Sequence, residues 1–137
     1  MDLELTNKRV VLTGGTRGIG RAIAERLLQE GCWVGICARN AEEVARAVGE
    51  LRQLALGNAQ VIGMAVDVAD TQAVVAWVAA AAAQFGGLDI AIANVSALSG
   101  APDEASWRLA MEIDMLGTVR LVEAALHVVR CWVGCAV

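Results

Sequence analysis

Apolar residues in this chain fall into short dense runs. Between them lie longer stretches where they recur every three or four positions. The first run, Lys8 to Thr13, centres on Val10, Val11 and Leu12 and predicts a strand. Gly14 to Gly20 breaks the pattern. Ile23, Ala24, Leu27 and Leu28 then share one face of a helix from Arg21 to Glu30, which Gly31 ends. Trp33 to Ala38 reads as a buried strand. Asn40 suits the N-cap of a helix from Ala41 to about Leu56, because its side-chain oxygen can accept from the first free amides. Gly57-Asn58 turns the chain into a third strand, Gln60 to Val66. Asp70 or Thr71 caps a third helix that ends near Phe85, at Gly86-Gly87. Leu88 to Ala93 is a fourth strand. Asn94 to Glu104, with Gly100 and the only proline, Pro102, is the one long loop. A long helix follows from about Ser106 to Val129, and Cys131 to Val137 reads as either a fifth strand or a frayed end.

Each strand is separated from the next by enough residues to hold a helix. Consecutive parallel strands require such crossovers, so the pattern predicts an α/β fold: a mostly parallel sheet covered by helices on both faces. The 137 residues suit a single domain, with 131–137 as an atypical tail.

Composition narrows the function classes. The chain is 57% hydrophobic and 19% charged, which excludes a disordered polar chain. The longest uncharged apolar stretch, Ala73 to Ala83, is about half of the roughly 20 residues that a membrane span needs. The first residues are acidic and polar, so no signal peptide and a cytoplasmic location are expected. A net charge of -4 with no basic cluster argues against nucleic acid as a partner. Cys32, Cys37, Cys131 and Cys135, with His127 as the only imidazole, lack the spacing of a metal site, and none is expected.

The strongest local signal is Thr13-Gly14-Gly15-Thr16-Arg17-Gly18-Ile19-Gly20, where the first strand hands over to the first helix. Gly14 permits a tight turn, Gly18 lets the backbone approach a pyrophosphate, and Gly20 lets the helix pack close to the sheet. The first amides of the helix then face the phosphates. At the end of the second strand an acid would accept from the 2′-hydroxyl of NAD. Here Ala38 and Arg39 stand there, and no carboxylate follows until Glu42. With Arg17 in the loop, two guanidinium groups suit a 2′-phosphate, which favours NADP over NAD. The plainer alternative is that both arginines are solvated surface charges.

With these motifs in place the chain resembles the short-chain dehydrogenase/reductase (SDR) family over residues 5 to about 129. The loop has the family's Thr-Gly-x-x-x-Gly-Ile-Gly form, implying a Rossmann-type fold with Gly14, Thr16, Arg17, Gly18, Ile19 and Gly20 at the cofactor. Asp67-Val68 looks like the family's pair after the third strand, where Asp67 would bond toward the adenine. The family's Asn-Asn-Ala-Gly is matched by Ala93-Asn94-Val95-Ser96, which keeps Asn94 and adds bulk at Val95 and Ser96 near the expected cofactor path. Trp107 and Ile113 to Thr118 resemble the family's fifth-helix signature. Asp114 stands where the family usually has an asparagine that helps organise a water and the catalytic lysine, making Asp114 the candidate catalytic residue. A helix residue bonding to nearby backbone is an equal reading of Asp114.

The resemblance implies hydride transfer between a nicotinamide cofactor and a carbonyl or alcohol. The family's proton donor is a tyrosine, assisted by a lysine four residues later and a serine on the strand before. This sequence has no tyrosine, its only lysine is Lys8, and Ser96, Ser99 and Ser106 all precede the long helix's body. The expectation is an NADP(H)-dependent oxidoreductase by descent, truncated after the family's fifth helix and inactive alone. The alternatives are a nucleotide-binding pseudo-enzyme or a non-functional fragment with an interaction role. Leu109, Ile113, Leu116, Leu121, Val122, Ala125 and Val129 give the long helix an apolar surface suited to a homo-oligomer contact.

Overall fold

The structure, a computed structural model, describes the backbone of residues 3–134 and the side chains of residues 3–129. Four strands, β1 (Arg9–Thr13), β2 (Trp33–Ala38), β3 (Gln60–Ala65) and β4 (Ile90–Ile92), form a parallel sheet in the order β3-β2-β1-β4. The crossovers are α1 (Gly18–Gln29), α2 (Ala41–Arg52) and α3 (Thr71–Phe85). Then come α4 (Glu104–Ala110), a π-helical stretch (Met111–Leu116) and α5 (Gly117–Gly134).

Strand alternation decides which face each helix covers. Val10 and Leu12 of β1, with Val34 and Ile36 of β2, pack under Leu28 of α1 and Val44 and Leu51 of α2. Val11 and Cys37 point the other way, into Trp77 and Val78 of α3 and Leu121 of α5. Burial of each such valine or leucine contributes roughly 1.5–3 kcal/mol, so the two apolar layers lock the helices to both faces. Because β1 lies between β2 and β4, the chain reverses direction across the sheet beside β1. In open α/β sheets the crevice at such a reversal, outside the carboxyl ends of the strands, is where ligands bind.

Local chemistry sets the helix ends. The Asn40 side chain accepts from the amides of Glu42 at 2.9 Å and Glu43 at 3.0 Å. Of the two expected caps of α3, Asp70 does the work, accepting from Ala73 N at 3.1 Å. β4 is short, and its entry is held to β1 by Arg9: its guanidinium donates to both oxygens of Asp89 at 2.8 Å and to the Gly86 carbonyl at 2.6 Å.

Several boundaries differ from the sequence reading. α1 begins at Gly18, not Arg21, so Gly18, Ile19 and Gly20 form its first turn; the low helix propensity of glycine conceals this. α2 stops at Arg52 rather than near Leu56, with Gln53 and Leu54 turning back onto Glu50 and Leu51. β3 ends at Ala65, and β4 covers only Ile90–Ile92. The long helix starts earlier, at Glu104, because Asp103 caps it by accepting from Ser106 N at 2.8 Å. Cys131 to Gly134 is not a strand: no glycine or proline interrupts the chain between Gly117 and Gly134, and α5 runs through to Gly134. Residues 135–137 of that expected strand lie outside the described residues. Among the described residues no helix is long and apolar enough to cross a membrane.

Candidate functional site

The carboxyl ends of the strands bring the sequence's candidates to one edge. The amides of Gly14 and Gly15 donate to the Cys37 carbonyl at 2.9 and 3.4 Å, which sets the glycine loop beside the end of β2 and hence beside Arg39. The Val66 amide donates to the Ala38 carbonyl at 2.9 Å, which brings Asp67 next to the same end.

The loop's glycines are needed for different reasons. Gly14 has φ +74° and Gly18 has φ +58°, both in the left-handed region where a side chain is strained. A Cβ on Gly20 would run into the Gly14 carbonyl oxygen and the Asn94 amide nitrogen. The first turn of α1 is left open. Its N-cap, Arg17, makes no side-chain capping bond, and no acid lies in the turn. Free amides with a positive dipole end thus face outward, and nothing lies within 4 Å of where a Gly18 side chain would be. Arg17, Gly18 and Ile19 are exposed, and Thr16 is half-buried. Arg39 is exposed too, and neither Arg17 nor Arg39 has an ion pair among the described residues. A backbone cradle with two uncommitted cations fits a phosphorylated ligand.

Asn94 sits at the end of β4, but its amide is already engaged. It donates to the carbonyls of Thr13 at 3.2 Å and Gly14 at 3.1 Å, while its own backbone N donates to Thr13 Oγ1 at 3.0 Å. Asn94 therefore shapes the glycine loop from behind. The Val95 side chain lies against Gly14, 3.0 Å from the position of a Cβ there, and the Ser96 hydroxyl accepts from Leu98 N at 3.1 Å. One oxygen of the exposed Asp67 accepts from Ala69 N at 2.9 Å, a local turn that leaves the carboxylate at the sheet edge. Val68 is buried against Gly117, where an added Cβ would lie only 3.1 Å from a Val68 methyl.

Asp114 lies within the π-helical stretch and is half-buried. Its Oδ1 accepts from Ala97 N at 2.9 Å, so it anchors the loop that follows β4. Asp114 thus makes a backbone bond of the kind weighed for it, to a loop 17 positions earlier in the chain. Cys32 and Cys37 are buried core residues, and burial pushes the Cys37 thiol up to about 12, far from a reactive thiolate. His127 is exposed. A hollow of about 490 Å³ is lined by Glu104, Trp107, Arg108, Met111, Glu112 and Leu116, and no glycine-loop residue borders it.

Sequence reasoning missed Arg120. Its guanidinium joins Thr71, Val68 and Glu112 across three segments. A lone arginine amid Thr118-Val119-Arg120-Leu121-Val122 was the available signal.

Comparison with known proteins agrees with this fold. Residues 8–130 match the model of the short chain dehydrogenase family. The isoepoxydon dehydrogenase of Penicillium expansum is 38% identical over 122 residues, covering 88% of this chain and 47% of the relative. The cis-4-hydroxycyclohexanecarboxylate dehydrogenase of Sinomonas cyclohexanicum is 38% identical over 124 residues, covering 85% and 47%. Among solved structures, L-sorbose reductase from Gluconobacter frateurii, complexed with NADPH and L-sorbose, superposes with a TM-score of 0.85 at 30% identity, covering 96% of this chain and 51% of that one. A short chain dehydrogenase from Burkholderia cenocepacia in complex with NADP gives a TM-score of 0.80 at 32% identity, covering 91% and 52%. The chain spans about half the length of the curated relatives it matches.

Proposed function

The chain belongs to the short-chain dehydrogenase family, and on that premise we propose that its carboxyl sheet edge binds NADP(H) in preference to NAD(H). One observation carries this: the uncapped first turn of α1 opens beside two arginines that have no ionic partner among the described residues. The backbone at Gly14, Thr16, Gly18 and Gly20 takes the pyrophosphate, with exposed Ile19 as an apolar wall. Arg17 and Arg39 take the 2′-phosphate, and Asp67 and Val68 border the adenine. Asn94 keeps the cradle in shape, and Asp114 holds the loop that leads to the reacting end. The bound nicotinamide supplies or accepts a hydride, so the substrate class is a carbonyl compound or an alcohol.

These 137 residues contain no tyrosine, and the only lysine, Lys8, precedes β1 at the opposite end of the strand from the glycine loop. The proton that must accompany the hydride has no family-type donor among them. We therefore assign to these residues cofactor binding without turnover; any substrate reaction requires a donor from elsewhere. A second copy packs on the long helix in this reading, because Trp107 is 68% exposed and Met115, Val122 and Leu126 are also exposed. Sedimentation velocity should show concentration-dependent dimers, and a monomer throughout would remove this contact.

The binding test is calorimetric titration with NADPH and NADH, on the wild type and on Arg39→Ala. A charge-assisted phosphate contact is worth about 1.5–3 kcal/mol. NADPH affinity should thus fall roughly 10- to 100-fold in the variant, with NADH binding almost unchanged. Equal wild-type affinity for both cofactors would refute the 2′-phosphate assignment. No binding of either by a folded chain would refute the site.

A further inference from the structure

The Arg120 side chain is only 15% exposed, although it stands on a helix with much exposed surface. Its donors are directed at several segments at once. Nε donates to Thr71 Oγ1 at 3.1 Å, at the start of α3. One terminal nitrogen donates to the Val68 carbonyl at 3.1 Å and to the Glu112 carbonyl at 3.2 Å. The other pairs with the Glu112 carboxylate. The Glu112 carbonyl also accepts from Gly117 N, the five-residue bond that makes this stretch π-helical. Arg120 thus stabilises the widened turn and holds Val68 by its carbonyl, while Gly117 packs on the Val68 side chain.

These contacts join two parts of the site. Val68 follows Asp67 at the adenine end. The π-helical stretch carries Asp114, whose carboxylate holds the Ala97 amide in the loop after β4. A planar five-donor guanidinium can bridge such scattered acceptors, and a lysine ammonium cannot do so in the same geometry. We propose that Arg120 is a positioning residue for dinucleotide recognition: it fixes the Asp67–Val68 turn against the adenine and sets the helical register that places Asp114 on Ala97. This rests on the nucleotide-binding reading above.

Adenine and the reacting end are common to NADPH and NADH, so a defect at Arg120 should weaken both in the same proportion, whereas Arg39→Ala should weaken NADPH alone. The test titrates both cofactors into wild type, Arg120→Met and Arg120→Lys, with thermal unfolding and the Ala97 amide resonance of each free protein recorded alongside. Arg120→Met keeps the apolar stem and removes the fork. The expected result is a cooperative fold, a roughly tenfold rise in Kd for NADPH and for NADH with their ratio kept, a shifted Ala97 amide, and partial recovery in Arg120→Lys. A merely structural role would lower Tm but leave the affinity of the folded protein and the Ala97 amide unchanged, and that result overturns the proposal. Should Arg120→Met not fold, Glu112→Gln weakens the pair while keeping the Glu112 carbonyl; a smaller, equal loss for both cofactors supports the proposal, and unchanged binding overturns it. A folded wild type that binds neither cofactor overturns the nucleotide reading and this inference with it. Wild-type binding that Arg120→Met leaves intact overturns the inference alone.

Discussion

Two glycine-to-alanine changes in helices should move stability in opposite directions, and the reason is visible in what a new methyl would touch. Gly49 lies inside α2 on its exposed side, with nothing within 4 Å of the added Cβ. Alanine there relieves the entropic penalty of glycine and should stabilise by about 0.5–1 kcal/mol. Gly20 lies in the first turn of α1, where the same propensity gain is opposed by contact. Its Cβ would overlap the Gly14 carbonyl oxygen and the Asn94 Nδ2. That oxygen cannot retreat freely, because it accepts from Asn94 Nδ2 at 3.1 Å, which also donates to the Thr13 carbonyl at 3.2 Å. Overpacking against fixed groups costs about 1–3 kcal/mol, and losing the amide's bonds adds about 1 kcal/mol. After the helix gain is subtracted, Gly20→Ala should destabilise by roughly 1–3 kcal/mol. Because α1 must move away from the loop, NADPH binding should weaken as well. Urea unfolding followed by circular dichroism gives both stabilities on one scale. A Gly20→Ala chain as stable as Gly49→Ala, with undiminished NADPH binding, would refute the claim that close packing at this turn shapes the site.

The Arg9–Asp89 pair and the buried thiols give further checks, alongside the Arg39 titration and the sedimentation experiment above. The hydrogen bonds from Arg9 hold the Asp89 carboxyl at about 2, below its ordinary 3.8. A carboxylate depressed on folding stabilises above its unfolded value, and that contribution is lost as pH falls from about 4 toward 2. With side chains 29% exposed, solvent screening brings the contribution to about 1–2 kcal/mol. The stability gap between wild type and Asp89→Asn should therefore close over that acid range, and a gap that stays constant there would contradict it. The Cys37 thiol, fully buried and pushed up to about 12, should be labelled by a thiol reagent only through unfolding. Peptide mapping should show its labelling rise with urea; labelling in native buffer at the rate of the unfolded chain would place it outside the core.

What the sequence revealed and what it hid divide by the range of the interactions. The glycine loop was readable because its requirements are local: positive φ at Gly14 and Gly18, close packing at Gly20, and a strand and a helix on either side. The two core faces were readable from strand and helix periodicity. The start of α1 was not, because two of its first three residues are glycines, which lower helix propensity without forbidding the turn. The π-helical stretch was hidden for a different reason. Its register depends on Arg120 reaching Val68, 52 positions earlier, and Thr71, 49 positions earlier, and no window of periodicity contains both partners.

The same distinction explains Asn94 and Asp114. Resemblance directs both toward the cofactor or the chemistry, because it reports which residue stands at a position. It does not report which atoms are left free. Here the Asn94 amide is engaged by carbonyls 80 and 81 positions away, and an Asp114 oxygen by an amide 17 positions away. Much of the site is thus polar side chains satisfying backbone groups that the strand ends leave unpaired, as buried donors and acceptors require. In the function proposed above, ligand contact falls instead to the groups that the fold leaves uncommitted: the open amides of α1 and the arginines at positions 17 and 39. Substitutions at Asn94 or Asp114 should therefore disturb binding through loop geometry, whereas substitutions at Arg39 should act on the ligand directly. NADPH titrations of folded variants can separate the two, because only the second kind changes cofactor preference while leaving stability untouched.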